Sequence, residues 1–301
     1  MTTSETEISR LDERACLVQS GGFRVFCATA DAIPSTLGEI GRLRETAFRA
    51  VGEGTGRSVD LDEFDRLYLH LFAWDEEHRQ IVGAYRIGRS DRIASTLGIH
   101  GLYTRTLFKY DQRFLTRLGA PALELGRSFV RVEYQKDHNA LLLLWRGIGT
   151  FVARHPQYRF LFGPVSISAR YSDASHAMLI EFLRQAHLNR ELADLVEAVT
   201  PARFAAPTGG LVARSVEDVN RLLARFEHDG KGMPVLLRQY LKLNAGLIGV
   251  NVDRNFANAV DALMIVDLTT VNPALLQRYL GKRASADVLA FHTRTRSSLA
   301  A

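Results

Sequence analysis

The chain has 301 residues, 47% of them hydrophobic and 24% charged, enough to bury the core of one large domain or two moderate ones. Two cysteines, Cys16 and Cys27, make no disulfide framework, and no Cys/His spacing reads as a zinc site, so no metal and a reducing, cytoplasmic setting are expected. A net charge of +5 and an isoelectric point of about 9.3 favour anionic partners, but the scattered arginines form no polybasic block and argue against nucleic acid.

Residues 1 to about 20 read as a frayed lead-in, polar and acidic at the start and unlike a signal peptide. Phe23–Ala28 is a short strand. A helix follows from Ala32-Ile33-Pro34-Ser35, with Ser35 its N-cap and Leu37, Ile40, Leu43, Ala47 and Phe48 at helical spacing. It ends in Gly52-Glu53-Gly54-Thr55-Gly56, a mobile or phosphate-approaching loop that lacks the Gly-Lys-Ser/Thr tail of a P-loop.

The acidic run Asp60–Asp65 precedes a hairpin, Leu67–Trp74 and Gln80–Ile87, turning at Asp75–Arg79. Capping or turn chemistry suits that run better than Ca²⁺ or Mg²⁺, since the EF-hand pattern is absent. Residues 88 to 120 read as a long polar connection with an amphipathic piece from Phe108 to Leu118.

The strand Glu124-Leu125-Gly126-Arg127-Ser128-Phe129-Val130-Arg131-Val132 organises the chain, because it carries Glu, Gly and Arg where a plain core strand carries aliphatics. Strict alternation puts Glu124 and Arg127 on opposite faces; a bulge at Gly126 would bring both to one cleft. The alternative is a structural ion pair between them.

Asn139–His155 then forms a core-facing helix, capped by Asp137 or Asn139. The longest apolar run, Ala140–Trp145, stops at Arg146, far short of membrane-spanning length. Arg159–Ile167 is the next strand, so strand, helix and strand make a βαβ unit with parallel strands. Ala174–Gln185 and Ser215–Phe226 are amphipathic helices around a loop marked by Pro201, Pro207, Gly209 and Gly210. Val235–Leu243 is a further helix, and Leu247–Val252 and Asp261–Asp267 are late strands. The expected fold is α/β: a mixed central sheet flanked by helices, one domain over residues 21–301, with a helical insertion at about 170–232.

The order of elements resembles GNAT-type acyltransferases, in particular the branch holding acyl-homoserine lactone synthases and N-acyl amino acid synthases. The residues behind this are Arg44 and Phe48 in the first helix, Asp62 and Asp65 before the hairpin, Arg86 ending its second strand, and Glu124 and Arg127. Homoserine lactone synthases read Glu-x-Ser-Arg-Phe, whereas this chain reads Glu124-Leu125-Gly126-Arg127-Ser128. That motif, with Leu144-Trp145-Arg146-Gly147-Ile148 and Leu161-Phe162-Gly163-Pro164-Val165-Ser166, is closer to the ornithine-lipid, hemolysin-like N-acyltransferases.

The resemblance implies transfer of a long-chain fatty acyl group, 3-hydroxylated in some cases, to the α-amine of an amino acid, ornithine first and glycine second. The product would be an N-acyl amino acid or lyso-aminolipid of lipid biosynthesis. Glu124 is then the catalytic base or a lock on Arg127, and Arg127 orients Glu124 or grips the acceptor carboxylate. Asp62 and Asp65 hold the acceptor ammonium or order the hairpin, Arg44 and Arg86 bridge to them, and Ser128 joins the substrate site.

In GNAT folds two strands splay to admit the pantetheine arm, here the strands at 123–132 and 160–167. Tyr134–Ala140 has no glycine where a coenzyme A enzyme cradles pyrophosphate. Acyl carrier protein is therefore the expected donor and acyl-CoA the lesser one, with Lys136, Arg146, Arg154 and Arg159 as carrier contacts. Peripheral contact with an anionic inner membrane face fits the charge. The rival readings are an acyl-homoserine lactone synthase and a non-catalytic lipid-binding module.

Overall fold

The structure, a computed structural model, describes residues 3–136, 138–204 and 215–299. Its strands are β1 (Cys16–Ser20), β2 (Phe23–Thr29), β3 (Leu69–Asp75), β4 (Gln80–Arg89), β5 (Phe108–Tyr110), β6 (Ala122–Val130), β7 (Phe160–Ile167), β8 (Val196–Ala198), β9 (Gly246–Asp253) and β10 (Ala259–Asp267). The helices are α1 (Thr3–Ser9), α2 (Pro34–Ala50), α3 (Ser90–Leu97), α4 (Phe114–Leu118), α5 (His138–Arg154), α6 (Asp173–His187), α7 (Arg190–Ala193), α8 (Val216–Phe226), α9 (Val235–Lys242), α10 (Pro273–Leu280) and α11 (Lys282–Leu299).

Eight strands form one sheet in the order β1-β2-β3-β4-β6-β7-β10-β9, and β5 pairs with β8. Every neighbouring pair in the large sheet is antiparallel except β6 and β7, which α5 joins as a parallel βαβ crossover. The expected hairpin is β3 and β4, its turn held by the Asp75 carboxylate accepting from the Glu77 and His78 backbone N–H groups at 2.9 and 3.0 Å. The α5 stripe of Leu143, Leu144, Trp145, Ile148 and Phe151 buries against one sheet face, with α6, α9 and α10 alongside. The other face is covered by α2 over Phe26, Phe72, Trp74 and Phe129, and by the 90–118 connection over Phe162, Leu263 and Ile265.

Four expectations change. The expected frayed lead-in of residues 1–20 is instead ordered from Thr3: α1 packs on α2, and β1 is the sheet's edge strand. The cap of α2 is also tertiary. Pro34 opens the helix, and the Glu7 carboxylate of α1 accepts from the Ser35 and Thr36 N–H groups, each at 2.8 Å, so Ser35 is not the N-cap. Residues 88–120 contain α3, β5 and α4, with Leu102, Phe108 and Phe114 fully buried. The stretch at 170–232 is not purely helical, since β8 lies within it and pairs with β5. Pro207, Gly209, Gly210 and the proposed cap Asp137 lie outside the described residues.

Candidate active site

Strand alternation aims Ala84 and Arg86 of β4, and Ala122 and Glu124 of β6, at the face covered by α2 and the 90–118 connection. The pairing of β4 with β6 jumps from Arg86↔Gly126 to Ala84↔Phe129, so Arg127 and Ser128 together oppose Tyr85. This is a bulge, one residue later than expected: Arg127 itself takes φ = +48°, and Gly126 does not need the left-handed region.

The bulge brings Arg127 to Asp60 and Asp62, and a closed ring of charges results. Arg44 donates to the Asp65 carboxylate at 3.2 Å and lies 4.0 Å from that of Asp60. Arg86 reaches Asp62 at 2.5 Å and Asp65 at 3.3 Å, while Arg127 reaches Asp60 at 3.3 Å and Asp62 at 3.6 Å. Each aspartate bridges two arginines, so three buried positive charges meet three negative ones. Burial alone would raise the Asp65 pKa, but Arg44 and Arg86 hold it below the usual carboxylate range. Asp62 and Asp65 also cap the turn at Glu63–Arg66, so their visible contacts order the chain before β3. Asp60 completes the ring and is not among the sequence-derived site residues, although it begins the acidic run.

Glu124 is 1% exposed and makes no ion pair with Arg127 among the described residues. Its carboxylate accepts from the Thr104 N–H at 2.7 Å, the Tyr103 N–H at 3.2 Å and the Tyr68 hydroxyl. Burial pushes its pKa up against the hydrogen bonds from Tyr68 and Thr104. The ring of Tyr103, held by this clamp, stacks on both guanidinium groups, 4.7 Å from Arg86 and 5.0 Å from Arg127.

Beside the ring opens a cleft of about 680 Å³, walled by the Gly54–Arg57 loop, Asp62, Tyr103, Arg127 and the β9–β10 turn. A narrow slot of about 50 Å³ adjoins it and shares Tyr103, Arg127 and Asp253 with it. Its walls include Leu125, Gly126 and Ser128 on β6 and Pro164 and Ser166 on β7. These two strands pair only from Ala122↔Phe160 to Glu124↔Phe162 and then part. At the parting Gly163 has no room for a Cβ, which would meet the Leu125 carbonyl oxygen at 1.9 Å.

Two acids of the slot were not picked out from the sequence. Asp253 ends β9 and Asp261 lies in β10 directly opposite Ser166. The Ser166 hydroxyl donates to Glu53 at 2.8 Å. Burial lifts the Glu53 carboxyl to about 7 and raises Asp253. The available signal was Asp261 itself, a lone acid in a strand whose other members are apolar up to Asp267.

The remaining expected positions separate. Lys136 is exposed between β6 and α5, at the parted end of the slot strands. Arg146 lies mid-helix, 3.4 Å from the Ser20 hydroxyl. Arg154 donates to the Arg14 and Cys16 carbonyls, and Arg159 chelates Asp267. Because α5 runs back from the open end of the slot to its closed end, Arg154 lies about 25 Å of helix away from Lys136, so the two do not flank the same end of the slot.

The glycine loop holds no vacant anion nest, since the Glu45 carboxylate accepts from the Thr55 and Gly56 N–H groups at 3.0 and 2.9 Å. No group of metal-ligating side chains occurs among the described residues. Nor is any helix among them long and apolar enough to cross a membrane.

A parallel βαβ crossover whose strands part beside a charged cleft fits the expected GNAT-type fold, and the acetyltransferase (GNAT) domain family matches residues 43–146. Over 276 residues the chain is 30% identical to a glycine N(alpha)-acyltransferase of Bacteroides thetaiotaomicron, covering 85% of this chain and 80% of that protein. It is 28% identical over 284 residues to an L-ornithine N(alpha)-acyltransferase of Brucella abortus, covering 85% and 94%. The chain belongs to this family of GNAT-type N-acyltransferases and is an enzyme of that class. A crystal structure of the AHL synthase LasI covers 49% of this chain and 74% of its own at 15% identity, with a TM-score of 0.36, too slight a likeness to carry an argument.

Proposed function

We propose that the chain transfers a long-chain fatty acyl group from acyl carrier protein to the α-amine of a free amino acid, glycine or ornithine. The observation that carries this reading is Arg127. It lines both cleft and slot, and although its guanidinium pairs with Asp60 and Asp62, it is the ring arginine that borders them, since Arg44 and Arg86 line neither. An acceptor carboxylate docked on that guanidinium directs its amine toward the parted strands, where a thioester threaded between β6 and β7 presents its carbonyl. The names of the relatives support glycine and ornithine alike. The carrier-protein donor rests on the glycine-free segment Tyr134–Ala140, which offers no pyrophosphate cradle, and on exposed Lys136 nearby.

Purified chain incubated with palmitoyl and 3-hydroxypalmitoyl carrier protein and a mixture of amino acids should yield an N-acyl amino acid by mass spectrometry. Arg127→Lys, which lacks the planar fork, should raise the KM for the acceptor about tenfold or more. Acylation of ethylamine as readily as glycine would sink the amino acid reading. Equal use of the coenzyme A thioester would sink the donor assignment.

A further inference from the structure

We propose that Asp261, flanked by Asp253 and Glu53, receives the ammonium group of the acceptor and takes its proton. This deepens the amino acid reading above and rests on it. The arginines Arg44, Arg86 and Arg127 are already matched one for one by Asp60, Asp62 and Asp65. Three further carboxyls nevertheless converge from separate segments: Glu53 after α2, Asp253 at the end of β9 and Asp261 near the start of β10. They are 9%, 8% and 4% exposed. Glu53 is occupied by Ser166, and Asp253 accepts from the Asn255 N–H at 2.9 Å. Asp261 Oδ2, on the slot wall, has no hydrogen-bond partner among the described residues.

A buried carboxylate without a partner costs several kcal/mol, so such a group either keeps a proton or receives a cation from outside. Arg127 on β6 is the cation within electrostatic reach, and Tyr85, Tyr103 and Tyr240 are the other titratable groups on the slot walls. Burial, with Asp253 and Glu53 beside it, pushes the Asp261 carboxyl well above its ordinary range, as a proton acceptor for an amine requires.

The chemistry balances without a cofactor. The ammonium loses one proton to Asp261, and in this poorly solvated slot the neutral acid and amine replace a charged pair. The nitrogen lone pair forms the C–N bond at the thioester carbonyl, and the C–S bond breaks. The leaving sulfur takes the second proton from nitrogen, and Asp261 returns its own to solvent.

Calorimetric titration of the full chain with glycine and with glycolate, which keeps the carboxylate and lacks the ammonium, separates the two ends of the acceptor. Asp261→Asn should bind glycine at least tenfold more weakly and glycolate as wild type does. Its kcat should fall at least a hundredfold, and the rise of kcat with pH expected of wild type should vanish. Asp261→Glu should restore part of both, and thermal melts check that each variant is folded. Wild-type glycine affinity and kcat in folded Asp261→Asn would overturn the proposal. Arg127→Lys should weaken glycine and glycolate alike. If it weakens neither, the amino acid reading is wrong about Arg127, while a lost kcat in Asp261→Asn would still uphold the acid.

Discussion

Arg127 shows how one strained residue assembles a site. A non-glycine side chain at φ = +48° costs about 1–3 kcal/mol, and the return is a guanidinium placed between Asp60, Asp62 and the aromatic rings of Tyr103 and Phe256. Glu53 is a second such residue, because its burial leaves a carboxyl that titrates near 7 when folded and near 4.5 when unfolded. Between those values the folded chain holds a proton that the unfolded chain has released, so stability falls as pH rises through this window. Above it the cost reaches about 3 kcal/mol. Glu53→Gln, which can still accept from Ser166, should therefore melt higher than wild type at pH 8 and alongside it at pH 4. Calorimetric melts at both values check this, and an equal gain at both would refute it.

At the scale of elements, Glu124 clamps the 3-10 turn Tyr103–Thr106 to β6. Glu124→Ala orphans the two N–H groups and the Tyr68 hydroxyl, and should cost about 3 kcal/mol or more in a denaturant titration. Glu124→Gln keeps one accepting oxygen and puts a donor where the other was, so it should cost less stability than the alanine and keep most of the turnover. Lost turnover at unchanged stability would instead make Glu124 the base. The close approach of β6 and β7 where their pairing ends depends likewise on Gly163. Gly163→Ala forces a methyl group against the Leu125 carbonyl oxygen and should lower stability by about 1–3 kcal/mol, read as a reduced denaturant midpoint. An unchanged midpoint would mean that the strands can separate further at little cost.

The whole molecule depends on its first residues. Removing residues 1–20 would strip β1 from the edge of β2 and take away the Glu7 carboxylate that caps α2, the helix carrying Arg44. The truncated chain should melt several degrees lower and self-associate through the bared edge in light scattering. A soluble truncation with the full-length melting temperature would contradict this.

Hydrophobic periodicity was enough to find α2, the β3–β4 hairpin, α5 and the parallel β6–α5–β7 crossover, because each is a local pattern facing one apolar layer. Arg44, Asp62, Asp65, Arg86 and Arg127 were legible through the spacing that resembles the GNAT-type acyltransferases. The sequence could not show which acid meets which arginine, since the ring joins α2, the 60–66 turn, β4 and β6 across long separations. The bulge at Arg127, the Glu124 clamp and the arrival of Asp253 and Asp261 at the slot depend on strand register and on β10 inserting between β7 and β9. Periodicity carries no information on those relations, because they are set by contacts between segments distant in the chain.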